Sequence, residues 1–320
     1  MKRTHNLTRC LMALLAFLLL GSMLLTSCDT TSGPPADLSD ATEFTVTKDN
    51  RSYMGYERET IGNLEIPSHF QYKGVWYKVV AIDERAFISC AGLRGVTIPD
   101  TVTSIGDLAF VGCAGLASVS IPDSVTSIGQ KAFRNCHSLK TVTIPDSVTS
   151  IGSGAFSYCS GLTSVIIPDG ITSIPEEMFR DCWGLTDVTI PDSVTDIGYG
   201  AFLQCASLES ITIPEGVTSI GSCAFFNCES LTSVIIPDGV TKIAGETFRG
   251  CTALASVTIP GSVTSIEPYA FGYCTSLETI TFEGTMEEWH AVIDNAGHSW
   301  RFLILATEVI CLDGTVEITN

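Results

Sequence analysis

Apolar residues recur along most of the chain with a fixed period of 23 residues. Thr, Ser, Gly and Asp fill the positions between them. Cysteines keep this spacing from Cys90 to Cys274, and prolines keep it from Pro99 to Pro260. Phenylalanines do so from Phe87 to Phe271. The apolar frame of one period is Leu93, Val96, Ile98, Val102, Ile105, Ala109 and Phe110. Nine consecutive copies without an insertion predict a solenoid in which each copy forms one coil.

Local patterns within one period predict the path of the coil. Val96-Thr97-Ile98 alternates apolar and polar residues, which indicates a short strand with one buried face. Pro99 ends that strand because it has no N–H group for a ladder. Val102 and Ile105 then form a second extended side, and Ala109-Phe110 occupies a tight turn or a short helix, with the phenylalanine filling the layer. Parallel stacking at about 4.8 Å per layer gives a slab about 40 Å long.

Both ends of the repeat array depart from the pattern, as expected for caps. Before the array, "HFQYKGVWYKVV" predicts a hairpin around Lys73-Gly74, and "EFTVTKDNRSYMGYE" predicts strand, turn and strand. After it, "GTMEEWHAVIDNAG" predicts a short helix with Trp289, Val292 and Ile293 on one side. Asp313-Gly314 predicts a second hairpin. The fold class is therefore a β-rich repeat solenoid of nine stacked repeats, with a β-rich N-terminal cap and a small α/β C-terminal cap.

The N-terminus has the pattern of a targeting segment. Lys2, Arg3 and Arg9 precede an apolar run of about 16 residues, which favours a secretory signal over a membrane span of about 20 residues. Leu25-Thr26-Ser27-Cys28 resembles a bacterial lipobox, and this resemblance implies cleavage before Cys28 and lipidation of Cys28. Acyl chains would hold the mature protein at a membrane. We expect a lipid-anchored protein of the bacterial cell envelope, in the outer membrane and exposed at the cell surface.

These patterns divide the chain into five segments. Residues 1–27 are predicted to be a lipoprotein signal peptide, and residues 28–43, rich in Pro, Ser and Thr, a flexible tether. Residues 44–80 are predicted to form the N-terminal β cap, residues 81–282 the solenoid of repeats and residues 283–320 the C-terminal cap.

The charge balance limits the partner classes. Beyond residue 27 there are 35 acidic and 14 basic residues, a net charge of −21. Phosphate binding requires a basic surface, so the balance argues against a nucleic-acid partner. It permits cations or basic protein patches as partners.

The repeat unit "IPDSVTSIGxxAFxxCxxLxxV" resembles the BspA-like leucine-rich repeats of bacterial surface proteins. The flanking stretches "GNLEIPSHFQYKGVWYKVVAIDERAF" and "FEGTMEEWHAVI" resemble the flanking modules of the same family. The resemblance covers residues 44 to 320. It implies a cell-surface protein, and several members of the family are adhesins for proteins of the host extracellular matrix or for other proteins.

Eleven cysteines remain after Cys10 and Cys28 are set aside, and nine of them form one column of the stack. Parallel side chains hold the Cβ atoms slightly too far apart for disulfides, so we expect buried thiols. No histidine repeats beside the column, which argues against a metal ladder. Cys223 and Cys311 lie outside it, and Cys223 is predicted to be the more exposed thiol.

An acidic residue follows nearly every repeat proline, which predicts an acidic ladder with steps of about 5 Å. Two interpretations are open. The carboxylates cap local Asx-type turns, or they form an edge for weak calcium binding or for a basic partner. The ladder is Asp100, Asp123, Asp146, Asp169, Asp192, Glu215 and Asp238.

Variation between copies indicates where recognition could lie. The outward strand position is a strip of Ser and Thr from Thr97 to Thr281, interrupted by Ile166 and Ile235. The residues around Ala-Phe vary much more, and exposed aromatic and arginine side chains are good anchors for protein contacts. The alternative is drift under weak packing constraint. Met178 is one of the variable residues in this turn. The candidate protein-binding edge is Leu108, Tyr158, Arg180, Trp183, Tyr199, Leu203, Phe226, Arg249, Tyr269 and Tyr273.

Catalysis has little support in the sequence. The five histidines share no spacing, and no nucleophile elbow, metal-ligand pair or phosphate loop is present. We expect no enzyme activity, no cofactor and no metal beyond the weak calcium alternative. A non-catalytic surface protein that binds a protein ligand is the main hypothesis. The alternative is a glycan-binding or scaffold lipoprotein of the cell envelope, and membrane contact is expected through the lipid only.

Overall fold

The computed structural model describes residues 42–46, 62–72, 75–296, 306 and 308–317. The predicted signal peptide, Cys28 and all but the last two residues of the predicted tether lie outside these ranges. Within them the nine repeats form nine stacked coils, which confirms the predicted solenoid. Each coil has a strand side, a second side of very short strands, and a side formed by turns.

The strand side consists of parallel strands centred on the buried Val or Ile of each repeat. Valines of neighbouring layers pair in register, as in Val142, Val165 and Val188. Most strands end one residue earlier than predicted, because the isoleucine that follows is joined to a proline without an N–H donor. The layer of Ile211 has extended backbone on this side but forms no strand. The strands are β2 Gly62–Glu65, β5 Leu93–Thr97, β7 Ser118–Ser120, β9 Thr141–Thr143, β11 Ser164–Ile166, β13 Asp187–Thr189, β16 Ser233–Ile235, β18 Ser256–Pro260 and β20 Thr279–Glu283.

The second side repeats a two-residue strand that ends on a buried isoleucine. Parallel pairing joins these strands into three separate groups, with breaks between Ile151 and Ile174 and between Ile220 and Ile243. The strands are β6 Ser104–Ile105, β8 Ser127–Ile128, β10 Ser150–Ile151, β12 Ser173–Ile174, β14 Asp196–Ile197, β15 Ser219–Ile220, β17 Lys242–Ile243 and β19 Ser265–Ile266.

The third side is a tight turn around Ala-Phe rather than a short helix. Leu108, Phe110 and Gly112 donate their N–H groups to carbonyls of the next layer at 2.7 to 2.8 Å. The alternate N–H groups of Ala109 and Val111 donate to carbonyls three residues back in the same layer. Main-chain groups of the turn are therefore bonded both within and between layers, which satisfies them without help from side chains.

The core is a stack of nine phenylalanine rings, from Phe87 to Phe271, one from each layer. Neighbouring ring centroids lie 5.0 to 6.0 Å apart with interplanar angles of at most 18°. The seven phenylalanines of the stack from Phe110 to Phe248 have no exposed surface. No single layer buries enough apolar surface to be stable alone, so each layer depends on its neighbours.

The N-terminal cap continues the second side of the solenoid. Strand β3 (His69–Tyr72) pairs antiparallel with β4 (Val75–Ile82), which confirms the predicted hairpin. Strand β1 (Thr42–Val46) pairs parallel with β4, and the end of β4 pairs with β6. Cap and repeats thus share one continuous sheet.

The C-terminal cap covers the last coil with the predicted helix and hairpin. Helix α1 (Met286–Ala296) buries Trp289 and Val292, and Thr285 and Glu288 form a reciprocal capping box at its start. Strands β21 (Glu308–Cys311) and β22 (Gly314–Glu317) form the hairpin and extend the strand side through β20. Within the described ranges, no helix has both the length and the apolar character of a membrane span.

Candidate functional site

The turns around Ala-Phe present their flanking side chains to solvent. Ala109 and Phe110 are fully buried, whereas Leu108, Val111 and Gly112 are partly exposed. We call the surface formed by these three flanking positions in every layer, together with Tyr199 and Trp183 beside them, the turn face. It is distinct from the strand face, which is formed by the outward Ser, Thr and Ile residues of the strand side.

The structure places all ten predicted edge residues on the turn face, and none is buried. Trp183 is 55% exposed, Tyr273 46%, Tyr199 45% and Tyr269 41%. Leu108, Tyr158, Leu203, Phe226 and both arginines are half-buried. Met178 is buried because it occupies the alanine position of its layer, so it belongs to the core.

One group of side chains surrounds Arg180, and we call it the Arg180 cluster. It comprises Arg134, Tyr158, Glu177, Arg180, Asp181 and Trp183. The Arg180 guanidinium contacts Glu177 at 2.5 Å and Asp181 at 3.1 Å, and its carbon lies 5.8 Å from the centre of the Tyr158 ring. The Trp183 indole N–H donates to Asp181 at 3.2 Å. These contacts hold each polar group in a fixed orientation beside an exposed indole.

Hydrogen bonds and charge control the protonation of Arg180. Partial burial lowers the pKa of its guanidinium, but the bonds to Glu177 and Asp181 outweigh burial and raise that pKa overall. Arg180 is therefore a permanent cation whose charge is balanced within its own cluster.

A second group surrounds Arg249, and we call it the Arg249 cluster. It comprises Phe226, Glu246, Arg249, Tyr269 and Tyr273. Arg249 contacts Glu246 at 2.8 Å, and this hydrogen bond raises the pKa of the guanidinium. Its guanidinium carbon lies 5.1 to 5.6 Å from the three ring centres. Such cation–π contacts hold the rings in a fixed arrangement.

Tyr199 and Cys223 are neighbours on the turn face between the two clusters. The negative potential of Cys223, partial burial and a hydrogen bond between the two side chains raise the pKa of Tyr199. Burial and then the Glu246 charge raise the pKa of Cys223. A thiol with a raised pKa is a weak nucleophile at neutral pH, so this pair indicates a packing contact rather than a reactive site.

The turn face requires left-handed backbone at two positions of every layer. In the layer of Phe156 these are Gly154, with φ of 64°, and Tyr158, with φ of 61°. Tyr269 and Tyr273 have φ of 60° and 61°. A bulky residue in this region carries a steric cost, so the exposed tyrosines are held in conformations that a glycine would adopt more easily.

The acidic ladder is exposed along its whole length. Its turns are closed by the main chain, as in the bond from the Val102 N–H to the Pro99 carbonyl at 3.1 Å. Ser124 Oγ donates to the Val102 carbonyl of the preceding layer at 2.6 Å. Both interpretations of the ladder, turn caps and a cation- or partner-binding edge, stay predictions. Among the described residues, no group of three or more His, Cys, Asp and Glu side chains could hold a metal ion.

The strand face is monotonous by comparison. Its outward residues are exposed or half-buried Ser and Thr, with Ile166 and Ile235 exposed by 68% and 66%. These two isoleucines are the largest departure of the strand face from a uniform hydroxyl surface.

The cysteine column is buried and unbridged, as predicted from Cys113 to Cys274, whereas Cys90 at the first layer is half-buried. Each buried thiol also donates a hydrogen bond to the phenylalanine carbonyl of the preceding layer, as in Cys205 Sγ to Phe179 at 3.2 Å. Burial raises the pKa of Cys228 and of Cys274 to about 12. Cys223 is half-buried and Cys311 is buried, so Cys223 is the more exposed of the two, as predicted.

Sequence reasoning missed the carboxylates that hold the two arginines. Glu177 and Glu246 each lie three residues before their arginine in the same layer position. This recurring Glu-x-x-Arg spacing could have been read from the sequence. The contact of Arg134 with the Tyr158 ring depends on cross-layer geometry and could not.

Comparison with known proteins identifies the repeat. The profile of the "BspA type Leucine rich repeat region" matches residues 80–209 and 195–292 with six copies. No protein of curated function matches the chain. A leucine-rich repeat protein of Bacteroides ovatus is similar at 31% identity and a TM-score of 0.58, over 69% of this chain and 63% of the other. The chain thus spans less than two thirds of that relative.

A leucine-rich cell-surface protein of Faecalibacterium prausnitzii is 29% identical, with a TM-score of 0.42 over 72% of this chain and 90% of the other. Proteins with repeats of this type are typically found at the bacterial cell surface and are generally non-catalytic binding scaffolds.

Proposed function

Because the chain belongs to the BspA-type leucine-rich repeat proteins, we propose that it is a non-catalytic adhesin that binds host or neighbouring-cell proteins through its turn face. The observation that carries this proposal is the gathering of exposed rings and fixed arginines on one side of the solenoid. Trp183, Tyr199, Tyr269 and Tyr273 are each more than 40% exposed on that side. Exposed aromatic residues and arginines dominate the binding energy of many protein interfaces.

The rigidity of the turn face supports the same role. Both arginines are fixed by carboxylates and rings, and the turn backbone is bonded to the next layer. A surface that is ordered before binding loses less conformational entropy when it meets a partner. The strand face offers mostly small hydroxyl side chains, which are weaker anchors.

Binding to a panel of immobilised extracellular-matrix proteins tests the proposal. We expect the full chain in detergent to bind at least one panel protein. The double variant Trp183→Ser/Tyr273→Gly, which removes one exposed ring from each cluster, should weaken that binding by at least tenfold. His137→Ser is the matched control, since His137 holds the position of Trp183 two layers earlier. Absence of binding to the whole panel, or equal binding by the double variant, would refute the proposal.

Glycan binding is the second candidate, and the Arg180 cluster favours it. The cluster combines the exposed indole of Trp183, a flat apolar surface, with the partly exposed carboxylate of Glu177, a hydrogen-bond acceptor. A scaffold role in the envelope would use the same surface on a neighbouring protein. Binding of the full chain to an array of neutral oligosaccharides, with loss in Trp183→Ser, would support the glycan alternative over protein adhesion.

We also propose that Cys28 carries the lipid that anchors the protein at the outer membrane, with the described solenoid outside the cell. The lipobox-like Leu25-Thr26-Ser27-Cys28 supports this proposal. Metabolic labelling with an alkyne fatty acid should mark the wild-type protein, and Cys28→Ala should abolish the label. Protease treatment of intact cells should degrade the solenoid only if it is exposed. Fatty-acid label on the Cys28→Ala variant would contradict the lipid anchor at Cys28. A solenoid that resists protease on intact cells would contradict its position outside the cell.

A further inference from the structure

Two layers of the solenoid, residues 162–184 and 231–253, differ from the other seven and resemble each other. Both begin with the identical string "LTSVIIPDG", and they lie three periods apart. They carry the exposed isoleucines of the strand face, Ile166 and Ile235. We call them the marked layers.

The marked layers also carry the two arginine clusters. Glu177 and Arg180 in one layer occupy the same positions as Glu246 and Arg249 in the other, with the same ion pair. In each case the guanidinium lies over an aromatic ring of the preceding layer, Tyr158 or Phe226. None of the other seven layers has a Glu-Arg pair at these positions.

The backbone sets the same two layers apart. In most layers the residue after the second-side isoleucine donates its N–H to the carbonyl of the equivalent isoleucine in the preceding layer, as from Gly198 to Ile174 at 2.8 Å. Pro175 has no N–H to donate, and in the described residues this bond is not formed at Ala244 either. The breaks between β10 and β12 and between β15 and β17 fall at these layers. The repetition therefore extends through side chains and main chain alike.

The stack fixes the distance between the marked layers. Ring centroids are 5.3 to 5.5 Å apart over the three steps from Phe179 to Phe248. The two arginine clusters are therefore about 16 Å apart along the solenoid axis, a span of about five residues of extended polypeptide.

We infer that the two marked layers form one bidentate site for a basic, extended polypeptide that runs along the axis and places cationic side chains at both arginine clusters. This inference rests on the proposed protein-binding function and names the partner's chemistry. Each cluster offers exposed ring surface to a partner's arginine or lysine. Glu177 and Glu246, with side chains 27% and 37% exposed, each use one carboxylate oxygen in the ion pair with the arginine of the cluster, so the other oxygen can accept from the partner's cation. The net charge of −21 beyond residue 27 attracts such a chain.

Synthetic peptides of constant charge test the spacing. Both peptides are capped Gly/Ser chains that contain two arginines. The arginines are five positions apart in the five-spaced peptide and two positions apart in the two-spaced peptide. Five positions of extended backbone span about 17 Å and two span about 7 Å. The backbone of the first peptide therefore matches the separation of the clusters and makes the second contact intramolecular, whereas the second peptide has to splay both arginine side chains apart. We expect the five-spaced peptide to bind the immobilised full chain at least tenfold more tightly than the two-spaced peptide, measured by surface plasmon resonance at low salt.

Variants of single clusters test whether both contribute. Tyr158→Gly/Trp183→Ser removes rings from the Arg180 cluster, and Tyr269→Gly/Tyr273→Gly removes them from the Arg249 cluster. Glycine already occurs at the left-handed positions of other layers, as at Gly154 and Gly250, so these variants should fold. A melting curve checks this. Either double variant should reduce binding of the five-spaced peptide to that of the two-spaced peptide, and His137→Ser should leave the difference intact.

The outcomes separate this inference from the proposed function. Equal affinity for both peptides, or a tenfold difference that survives loss of one cluster, would overturn the bidentate site. Absence of binding by either peptide would overturn the basic chemistry of the partner. In all three cases binding to a matrix protein that is lost in Trp183→Ser/Tyr273→Gly would leave the proposed function standing.

Discussion

The strand face and the turn face cover the same core, yet one repeats its side chains and the other changes from layer to layer. On the strand face each outward residue lies in register between its counterparts, as Thr143 and Thr189 flank Ile166. Cross-strand neighbours interact, so small β-compatible residues are favoured in every layer. On the turn face the main chain alone bonds the layers, as in Phe110 to Ala132. Its side chains are therefore free to vary.

The largest expected effect comes from the thiols behind the turn face. The pKa of seven column cysteines between Cys113 and Cys274 is raised above 9.0. The main cause is burial for six of them, and for Cys113 it is a hydrogen bond with Cys90, followed by burial. Unfolded thiols ionise near pH 9 while folded ones keep their protons, so stability is full below pH 9 and falls as pH rises towards 12. At pH 10 the loss is about 1.4 kcal/mol for each thiol whose pKa rises to about 12, as for Cys228 and Cys274, and the other five thiols add to it in the same direction.

Urea unfolding between pH 7 and pH 10 measures this loss. Cys205→Ser in the core column should reduce the slope of stability against pH more than Cys223→Ser on the turn face. A stability that is flat up to pH 10 would contradict the buried thiol column.

Neighbouring residues that point in opposite directions give the next largest effect. Phe202 is fully buried in the ring stack, whereas Leu203 is half-exposed on the turn face. Phe202→Ala should lower the free energy of unfolding by about 3–5 kcal/mol, because it leaves a cavity in the stack. Leu203→Ala should cost less than about 1 kcal/mol. Similar losses for the two variants, measured by urea unfolding, would mean that the turn face is packed as tightly as the core.

Glycine substitutions should have opposite consequences on the two faces. At Tyr158, where φ is 61°, the Gly variant should be about 1 kcal/mol more stable than the Ala variant. At Thr143 in strand β9, the Ala variant should be more stable than the Gly variant by about 0.5–1 kcal/mol. Thermal unfolding of the four variants measures both differences. The same order at both sites would contradict the left-handed turn.

Calcium should have the smallest effect. The seven carboxylates of the acidic ladder are exposed, and no group that could hold a metal ion is found in the described ranges. We expect millimolar calcium to raise the melting temperature by less than about 1 °C over sodium chloride at equal ionic strength. A larger shift that Asp146→Asn reduces would support the cation-binding interpretation of the ladder.

The comparison of faces also shows what the sequence can predict. The 23-residue period predicted the coils and the phenylalanine that fills each layer, and the local apolar pattern of the C-terminal cap predicted the helix around Trp289, because each depends on which residues avoid water. The left-handed positions were missed, although Gly112, Asn135, Asp181, Asn227 and Gly250 in one column are residues that favour this conformation.

Other features depend on contacts that no spacing encodes. The bond from each buried thiol between Cys113 and Cys274 in the column to a phenylalanine carbonyl links residues 26 positions apart, and it requires the layer geometry. The same holds for the position of Arg134 over the Tyr158 ring, 4.8 Å from its centre. The sequence identified the variable residues of the turn face but not the contacts that fix them.

Hydroxyl-radical footprinting of the full chain, free and bound to the matrix protein that the panel identifies, tests the central claim most directly. We predict that bound partner slows oxidation of Trp183, Tyr199, Tyr269 and Tyr273 on the turn face. Ile166 and Ile235 on the strand face should be oxidised at the same rate in both states. Protection of the two isoleucines without protection of the turn-face rings would contradict the assignment of recognition to the turn face.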